Sequence, residues 1–573
     1  MKYKIQTNCN SLLCISPSPC NVQSILSIYP SSWLPPRLFS GVLFVSIPSS
    51  LPPLISSYGR LPIHTSPLFS PHFSSLAMSN GTQLNVLTLN CWGLKFVAKD
   101  RQDRLTAIGR YLADASRGYD IVGLQEVWVY DDYLRIRDLV QETLPHTKHW
   151  NSGVLGSGLV ILSKYPIVST TMRRFALNGD PFKVFHGDWY VGKCFVSATV
   201  VHPTCGEIEI FNTHLHAGYD PVGTPDSYLG CRVGEAWEMA SAVKAATTQG
   251  RHVISLGDYN SAPNSLVVQL MRKQGGLTDA WDRIHPELRD PIPTGLTPEE
   301  GVAIMGVTCD TPLNTWSKHS WLNYWTNDPV GERLDYIFFR ETPEMACTKV
   351  EVAVREQISG IGKPNSGVKN YSDHFGVHAT FTLQPAVYHY QNRKPLMPLS
   401  DSVMSMGTAV TVVPLTTSPT GSSSTTATTA AAAATEEGVK EQGMSVDMLE
   451  QILLILKQHL AKVQATSKRE LTIVFPIMLI LALGLIISFF WIEPKWASFI
   501  VALVLSALSS GWIVHFLYGF LYGGETNSSY TNVIQEVQTV LDYKRQSERN
   551  PLLGSAPVSR ASSSRGRHGL LQK

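Results

Sequence analysis

A layered α+β domain over residues 81–385, followed by a transmembrane helical hairpin, is the architecture this 573-residue sequence predicts. Three observations lead there. Short apolar runs of strand length alternate with helical and turn-rich stretches through the domain. Two later runs are apolar, nearly free of charge and long enough to cross a bilayer. A Ser/Thr/Ala-rich segment separates the two kinds of sequence.

The strand-like runs are Leu84 to Leu89, Ile121 to Leu124, Gly158 to Leu162, Ile208 to Phe211, His252 to Leu256 and Tyr336 to Phe339. Each is four to six residues long, as buried strands are. Arg101 to Ala115 and Gly234 to Thr247 are the helical candidates between them.

Residues 1–80 read as an N-terminal extension. From Met1 to about Ala77 the chain is rich in Ser, Pro and Leu and holds no Asp or Glu. An acid-poor, Ser-rich start suits a targeting segment, but its prolines break an amphipathic helix and it carries only Arg37 and Arg60. Met78 is the alternative start.

Residues 386–445 form an irregular segment and linker, with Thr416 to Gly443 almost devoid of large apolar side chains. Residues 446–470 then resume helical periodicity, with Met448, Leu449, Ile452, Leu456, Leu460 and Val463 on one stripe and Lys457, Lys462 and Lys468 elsewhere. That pattern suits a juxtamembrane or partner-packing helix; a solvated spacer is the blander alternative. Residues 471–492 carry no charge and span ~33 Å as a helix at ~1.5 Å per residue. The second run, residues 496–522, carries only His515.

Glu493, Pro494 and Lys495 separate the two runs, and Trp491, Trp496 and Tyr522 bound them. Basic residues lie before the hairpin (Lys462, Lys468, Arg469) and after it (Lys544, Arg545, Arg560, Arg565, Arg567), so the positive-inside rule puts both flanks in the cytosol. Residues 523–573 are then a cytosolic polar tail, and the large domain hangs at the cytosolic face, free to move on its linker. The endoplasmic reticulum membrane is the expected site, the mitochondrial outer membrane the alternative.

With 47 basic and 45 acidic residues, the net charge of +2 gives no global footprint for gripping nucleic acid. Nine cysteines without a C-x-x-C pair argue against a disulfide framework and a zinc site, and for a reducing compartment. A sequon at Asn370-Tyr371-Ser372 lies beside the candidate site, where a glycan would obstruct it.

Several segments far apart in sequence end strand-like runs with residues suited to a hard cation or a phosphate. They are Leu87-Thr88-Leu89-Asn90-Cys91-Trp92, Gly123-Leu124-Gln125-Glu126-Val127-Trp128 and Phe211-Asn212-Thr213-His214-Leu215. Gly257-Asp258-Tyr259-Asn260, Arg333-Leu334-Asp335-Tyr336 and Tyr371-Ser372-Asp373-His374-Phe375 complete the set. Glu126 is a natural Mg²⁺ ligand, and Asn90 adds an oxygen or holds a ligand in place. Alone, each is more often a strand-end cap, and a lone His such as His214 is more often structural. Their joint order makes the signal.

This ordered set resembles the endonuclease/exonuclease/phosphatase superfamily, of DNase I-like fold: a four-layer sandwich of two β-sheets flanked by helices. The resemblance covers about Gln83 to Thr382. It implies that Glu126 binds Mg²⁺ with Asn90 beside it, and that Asp258 and Asn260 orient the attacking water and the phosphate. His374 would be general base or transition-state stabiliser, oriented by Asp335. Asp373 would complete the metal environment, and His214 would contact the phosphate or help the leaving group. Either Asp258 or His374 could take the water's proton.

Phe185 to Cys194 fits G-x-x-x-x-G-K at Gly187 to Lys193, but Cys194 replaces the Ser/Thr that a nucleotide loop needs. The segment instead resembles the Asp-x4-Lys loop of eukaryotic neutral sphingomyelinases and fungal inositol phosphosphingolipid phospholipases C, which implies that Asp188 and Lys193 support activity. By itself it reads as an ordinary salt-bridged turn. Gly306-Val307-Thr308-Cys309-Asp310, Asn314-Thr315-Trp316 and Asn90-Cys91-Trp92-Gly93-Leu94 are similar to that subfamily too, as is the C-terminal hairpin.

The resemblance implies Mg²⁺-dependent, phospholipase C-type hydrolysis of a phosphosphingolipid, sphingomyelin or an inositol phosphosphingolipid, to ceramide in sphingolipid catabolism and ceramide signalling. Anionic phospholipids would be activators, with Lys457, Lys462, Lys468 and Arg469 in reach. The alternatives are a DNA endonuclease, a polyphosphoinositide phosphatase and an inactive membrane scaffold. The anchor and the charge balance disfavour the first, and no nucleic-acid partner is expected. The second calls for more Lys and Arg around its pocket, and the complete residue set disfavours the third.

Overall fold

The computed structural model describes residues 82–220, 224–286, 295–317, 330–362, 367–385 and 443–550. The expected extension over residues 1–80 and the Ser/Thr/Ala-rich segment lie outside these residues, apart from Gly443.

Two six-stranded sheets face each other. The first contains β1 (Thr82–Asn90), β2 (Ile121–Gln125), β3 (His146–His149) and β4 (Val160–Ser163). The second contains β5 (Ile167–Arg174), β6 (Cys194–His202), β7 (Gly206–His214), β8 (His252–Asp258), β9 (Thr278–Asp279) and β10 (Asp335–Phe339). β11 (Met345–Ala353) and β14 (Gly376–Leu383) return to the first, while β12 (Gln357–Ile358) and β13 (Lys369–Asn370) form a separate ribbon. The strand orders are β11-β14-β1-β2-β4-β3 and β5-β6-β7-β8-β10-β9. Pairing is antiparallel except for β1 with β2 and β7 with β8.

Period-two alternation fixes what each face does. Leu84 and Val86 of β1, Ile208 and Ile210 of β7, Ile254 and Leu256 of β8, and Ile337 and Phe339 of β10 meet in the core between the sheets. Continuing each alternation to the strand end brings Asn90, His214, Asp258 and Asp335 onto the same inward face. Gly123 lets the sheets approach closely, since a Cβ there would meet Leu256 Cδ1 at 2.0 Å.

On the outer face of the first sheet, Leu87 and Leu89 pack against Leu105 and Ile108 of α1 (Arg101–Ala113) and Ile136 of α2 (Tyr130–Val140). After the short α3 (Asp188–Val191), the outer face of the second sheet is covered by α4 (Leu229–Thr248) and α5 (Leu266–Lys273). α6 (Ala280–Ile284) and α7 (Pro298–Glu300) are brief turns of helix near the sandwich edge. The result is the four-layer sandwich expected.

The C-terminal region differs from the expectation in two ways. The juxtamembrane helix and the first span are one helix, α8 (Val446–Trp491), with Pro476 inside it. α9 (Lys495–Phe516) leads through a π-helical turn at Leu517–Tyr522 into α10 (Gly523–Arg549), so the expected polar tail begins as a helix. α8 and the helical run that begins with α9 each contain a stretch long and apolar enough to cross a membrane.

Nor is the sandwich free on a linker. Leu449, Ile452 and Leu456 of α8 and Tyr530, Val533 and Val537 of α10 share one apolar core with Val233, Trp237 and Met239 of α4. The amphipathic stripe of α8 has this partner because its apolar face loses less by packing on α4 than by facing water. The sequon residue Asn370 is buried and gives its amide to the Arg355 carbonyl at 2.8 Å.

Candidate active site

The inward-facing strand ends converge at one edge of the sandwich. Strand register sets His214 beside Asp258 across the parallel β7–β8 pair, and Asp335 opposite Asp258 across the antiparallel β8–β10 pair. His214 Nε2 lies 3.5 Å from Asp258 Oδ2, and His374 Nδ1 lies 2.8 Å from Asp335 Oδ2. Asn90 bridges the two sheets, donating from Nδ2 to Asp258 Oδ2 at 3.0 Å and to Glu126 Oε1 at 3.2 Å. Its Oδ1 accepts the Trp92 N–H at 3.0 Å, so the amide nitrogen, and not the oxygen, faces the carboxylates. Asn90 therefore braces Glu126.

Asp258 Oδ1 accepts the Asn260 N–H at 2.9 Å, so both carboxylate oxygens are engaged. Glu126 and Asn260 hold left-handed backbone, φ 60° and 46°. Such conformations cost about 1–3 kcal/mol each in non-glycine residues, and surrounding contacts must hold them. For Asn260 the holding contact is its own side chain, which donates to the Leu215 carbonyl at 2.9 Å.

Burial and the neighbouring Asp335 raise the Asp258 carboxyl to about 7. Burial also raises Asp373, against the pull of His374. For His374 burial acts downward, but Cys309 and Asp335 beside it outweigh burial and lift it well above its ordinary value. His214 falls well below its ordinary value through burial and the nearby Lys193, so it is a neutral imidazole. Its Nδ1 is buried without a hydrogen-bond partner, as is Asp335 Oδ1.

Ligand atoms of Asp258, Asp335 and His374 lie within 4.8 Å of one another. With Glu126 beside them, the donors are mainly carboxylate oxygens, and burial raises the Cys91 and Cys309 thiols far above the thiolate range. An unpartnered buried carboxylate oxygen among mainly carboxylate donors fits a hard divalent cation.

Asp188 and Lys193 form a buried ion pair at 3.0 Å. Lys193 Nζ also donates to the Leu215 carbonyl at 3.1 Å, and Asp188 Oδ2 accepts from Tyr219 Oη at 2.7 Å. Burial alone would raise Asp188; Lys193, His216 and the Tyr219 hydroxyl reverse that and hold it well below the usual carboxylate range. The loop thus abuts the strand-end cluster through Leu215.

Sequence reading overlooked Arg104. Fully buried in α1, it donates to the carbonyls of Cys91 and Tyr371 at 3.0 Å each and of Trp92 at 2.5 Å, tying the segment after β1 to the one carrying Asp373 and His374. Its guanidinium lies 4.5 Å from the Trp92 ring. The only signal was an arginine on the apolar side of a helix, three residues after Arg101. His216 and Glu235 were likewise missed: the His216 N–H donates to buried Glu235 Oε2 at 2.9 Å.

The geometry now has its family. Residues 87–374 match the profile of the endonuclease/exonuclease/phosphatase family, and the chain belongs to it. Its curated relatives are hydrolases of the phosphodiesterase type. An inositol phosphosphingolipids phospholipase C of Schizosaccharomyces pombe is 30% identical over 452 residues, covering 78% of this chain and 92% of that one. The protein of the same name in Saccharomyces cerevisiae is 34% identical over 54% of this chain and 65% of its own length. Sphingomyelin phosphodiesterase 2 of Homo sapiens is 34% identical over 45% of this chain and 56% of its own.

Proposed function

We propose that this chain is a membrane-anchored, Mg²⁺-dependent phosphodiesterase that cleaves a phosphosphingolipid in the phospholipase C manner, giving ceramide and a phosphorylated head group. What carries the reading is the convergence of Glu126, Asp258, Asp335 and His374 at one strand-end cluster, in a chain that matches the S. pombe phospholipase over 92% of that protein's length.

Glu126 would hold the ion, braced by Asn90, with Asp373 completing its surroundings. Bound there, Mg²⁺ would neutralise charge on the phosphoryl oxygens. His374, oriented through Nδ1 by Asp335 and raised toward its imidazolium, stabilises the charge on the phosphoryl oxygens in the transition state, and only its deprotonated form would take the proton of the attacking water. Asp258 is less suited to that role, because both its oxygens already accept hydrogen bonds. It orients water and phosphate with Asn260. Neutral His214 contacts the phosphate or assists the departing ceramide oxygen, and Asp188 and Lys193 hold the Leu215 segment in register with Asn260.

The catalytic domain faces the cytosol and the hairpin lies in the endoplasmic reticulum membrane on this reading, with the mitochondrial outer membrane as alternative. Lys457, Lys462, Lys468 and Arg469 offer contacts to anionic activator lipids. The test is head-group release from vesicles of sphingomyelin or inositol phosphorylceramide, with Mg²⁺ or EDTA, by the parent chain and His374→Ala. Release that needs both Mg²⁺ and His374 is expected, and the preferred lipid names the head group. Intact phosphosphingolipid alongside cleaved DNA or phosphoinositide would defeat the reading.

A further inference from the structure

We infer that the loop Pro181 to Phe185, with the neighbouring Val154 and Leu155, is a second membrane-contact surface, lying in the bilayer interface and opening the active site toward lipid. The inference deepens the proposed function and rests on its reading of the hairpin as membrane-spanning.

The loop sits where the membrane surface should be. Tyr518 and Tyr522 close the second apolar run, the position that interfacial aromatic residues occupy. Tyr518 donates to Asp180 Oδ2 at 2.9 Å, and Tyr522 donates to the Gly179 carbonyl at 2.7 Å. The Phe182 ring stands edge-on to Tyr518 with centroids 4.3 Å apart. These contacts fix the start of the loop at the depth of the aromatic belt.

Beyond Phe182 the loop is mostly apolar and uncovered. Phe185 is 91% exposed and Val184 57%, with exposed Lys183 between Phe182 and Val184. A second loop adds Val154, 76% exposed, and Leu155. Tyr190 ties the two loops together: its carbonyl accepts from the Val154 and Leu155 N–H groups at 2.7 and 3.2 Å, and its hydroxyl donates to the Pro181 carbonyl at 2.6 Å. Scattered exposed hydrophobic residues need no explanation, but a joined apolar patch does. Its continuity with Tyr518 and Tyr522 selects the bilayer holding the hairpin as its occupant, and Lys183 suits the phosphate level of that bilayer.

The patch also borders the chemistry. Asp188 follows Phe185 by three residues, and the second loop runs to Gly158, which packs on Trp128, whose Nε1 donates to Glu126 Oε2 at 3.5 Å. A lipid head group at this rim is already beside the cluster.

The test uses the full chain in phosphatidylcholine vesicles containing sphingomyelin. Phe185→Cys carries an environment-sensitive fluorophore, with the parent chain treated alike as background; the six cysteines in the described residues are buried. Blue-shifted emission quenched by spin-labelled lipid is expected, whereas water-like, unquenched emission overturns the proposal. In parallel, Val184→Ser/Phe185→Ser should lose about tenfold in bilayer hydrolysis while leaving hydrolysis of a soluble short-chain substrate unchanged. Equal loss on both substrates overturns membrane contact as the loop's role. Quenching is read without activity, so a quenched label on a chain that cleaves no phosphosphingolipid would defeat the substrate reading and keep the membrane contact.

Discussion

Lys193 and Asn260 donate to the same acceptor, the main-chain carbonyl of Leu215, at 3.1 and 2.9 Å. Leu215 directly follows His214, so one peptide unit links the Asp188–Lys193 pair to the residues that would orient phosphate. Removing one partner of a buried ion pair strands a charge, at about 3–5 kcal/mol. Lys193→Met is therefore expected to lower both stability and turnover, and Asp188→Asn/Lys193→Met to recover part of the stability. Denaturant midpoints and initial rates on one lipid check this; if single and double variants unfold alike, the two residues are not coupled.

The Asp335–His374 pair should matter mostly to rate. Asp335→Asn keeps the shape but removes the carboxylate that receives the His374 Nδ1 proton. A positioned acid or base is worth about 10²–10⁴ in rate, so Asp335→Asn and His374→Ala should each lose about that much in kcat. The pair acts as a unit, so the double variant should lose little more than either single one. Fully multiplicative losses would separate their roles.

Glu235 makes stability depend on pH. Burial is the main cause that raises its carboxyl from 4.5 to about 8. Between those values the folded chain keeps a proton that the unfolded chain has lost. Its contribution is whole below pH 4.5 and is lost as pH rises through about 8, by up to about 1.4 kcal/mol per pH unit. Urea midpoints from pH 5 to 9 should fall for the parent relative to Glu235→Gln; parallel curves would exclude this role for Glu235.

The site was legible in the sequence because its chemistry sits where strand alternation ends. Once Leu84 and Val86 point inward, so must Asn90; the same step carries Ile254 and Leu256 to Asp258. What stayed hidden was contact between distant segments. Arg104 was overlooked because nothing local says that the carbonyls of Cys91, Trp92 and distant Tyr371 converge on it. β11 and β14 were not recognised because polar Thr348, Lys349 and His378 interrupt their apolar pattern. The stripe of α8 was plain, but α4 shows no narrow face: most of its residues are buried, since it packs on both the sheet and the C-terminal helices.

That double packing predicts that the sandwich, α10 and the N-terminal part of α8 unfold together. Trp237 Nε1 donates to Glu536 Oε2 at 3.0 Å, and a Cβ on Gly230 would meet the His459 ring at 2.5 Å, so α4 and both helices are in close contact. Leu449 and Leu456 are fully buried in this junction. Leu→Ala at such a position costs about 2–5 kcal/mol. If the junction belongs to the cooperative unit, Leu456→Ala should lower the denaturant midpoint of the catalytic domain itself, read by loss of head-group release, while the chain stays in the membrane fraction. Cleavage at a protease site engineered between residues 416 and 443 should then leave the two pieces together through a non-denaturing wash. A catalytic piece that washes off with activity intact would mean that the contact with α4 is dispensable and that the sandwich is held only by its chain.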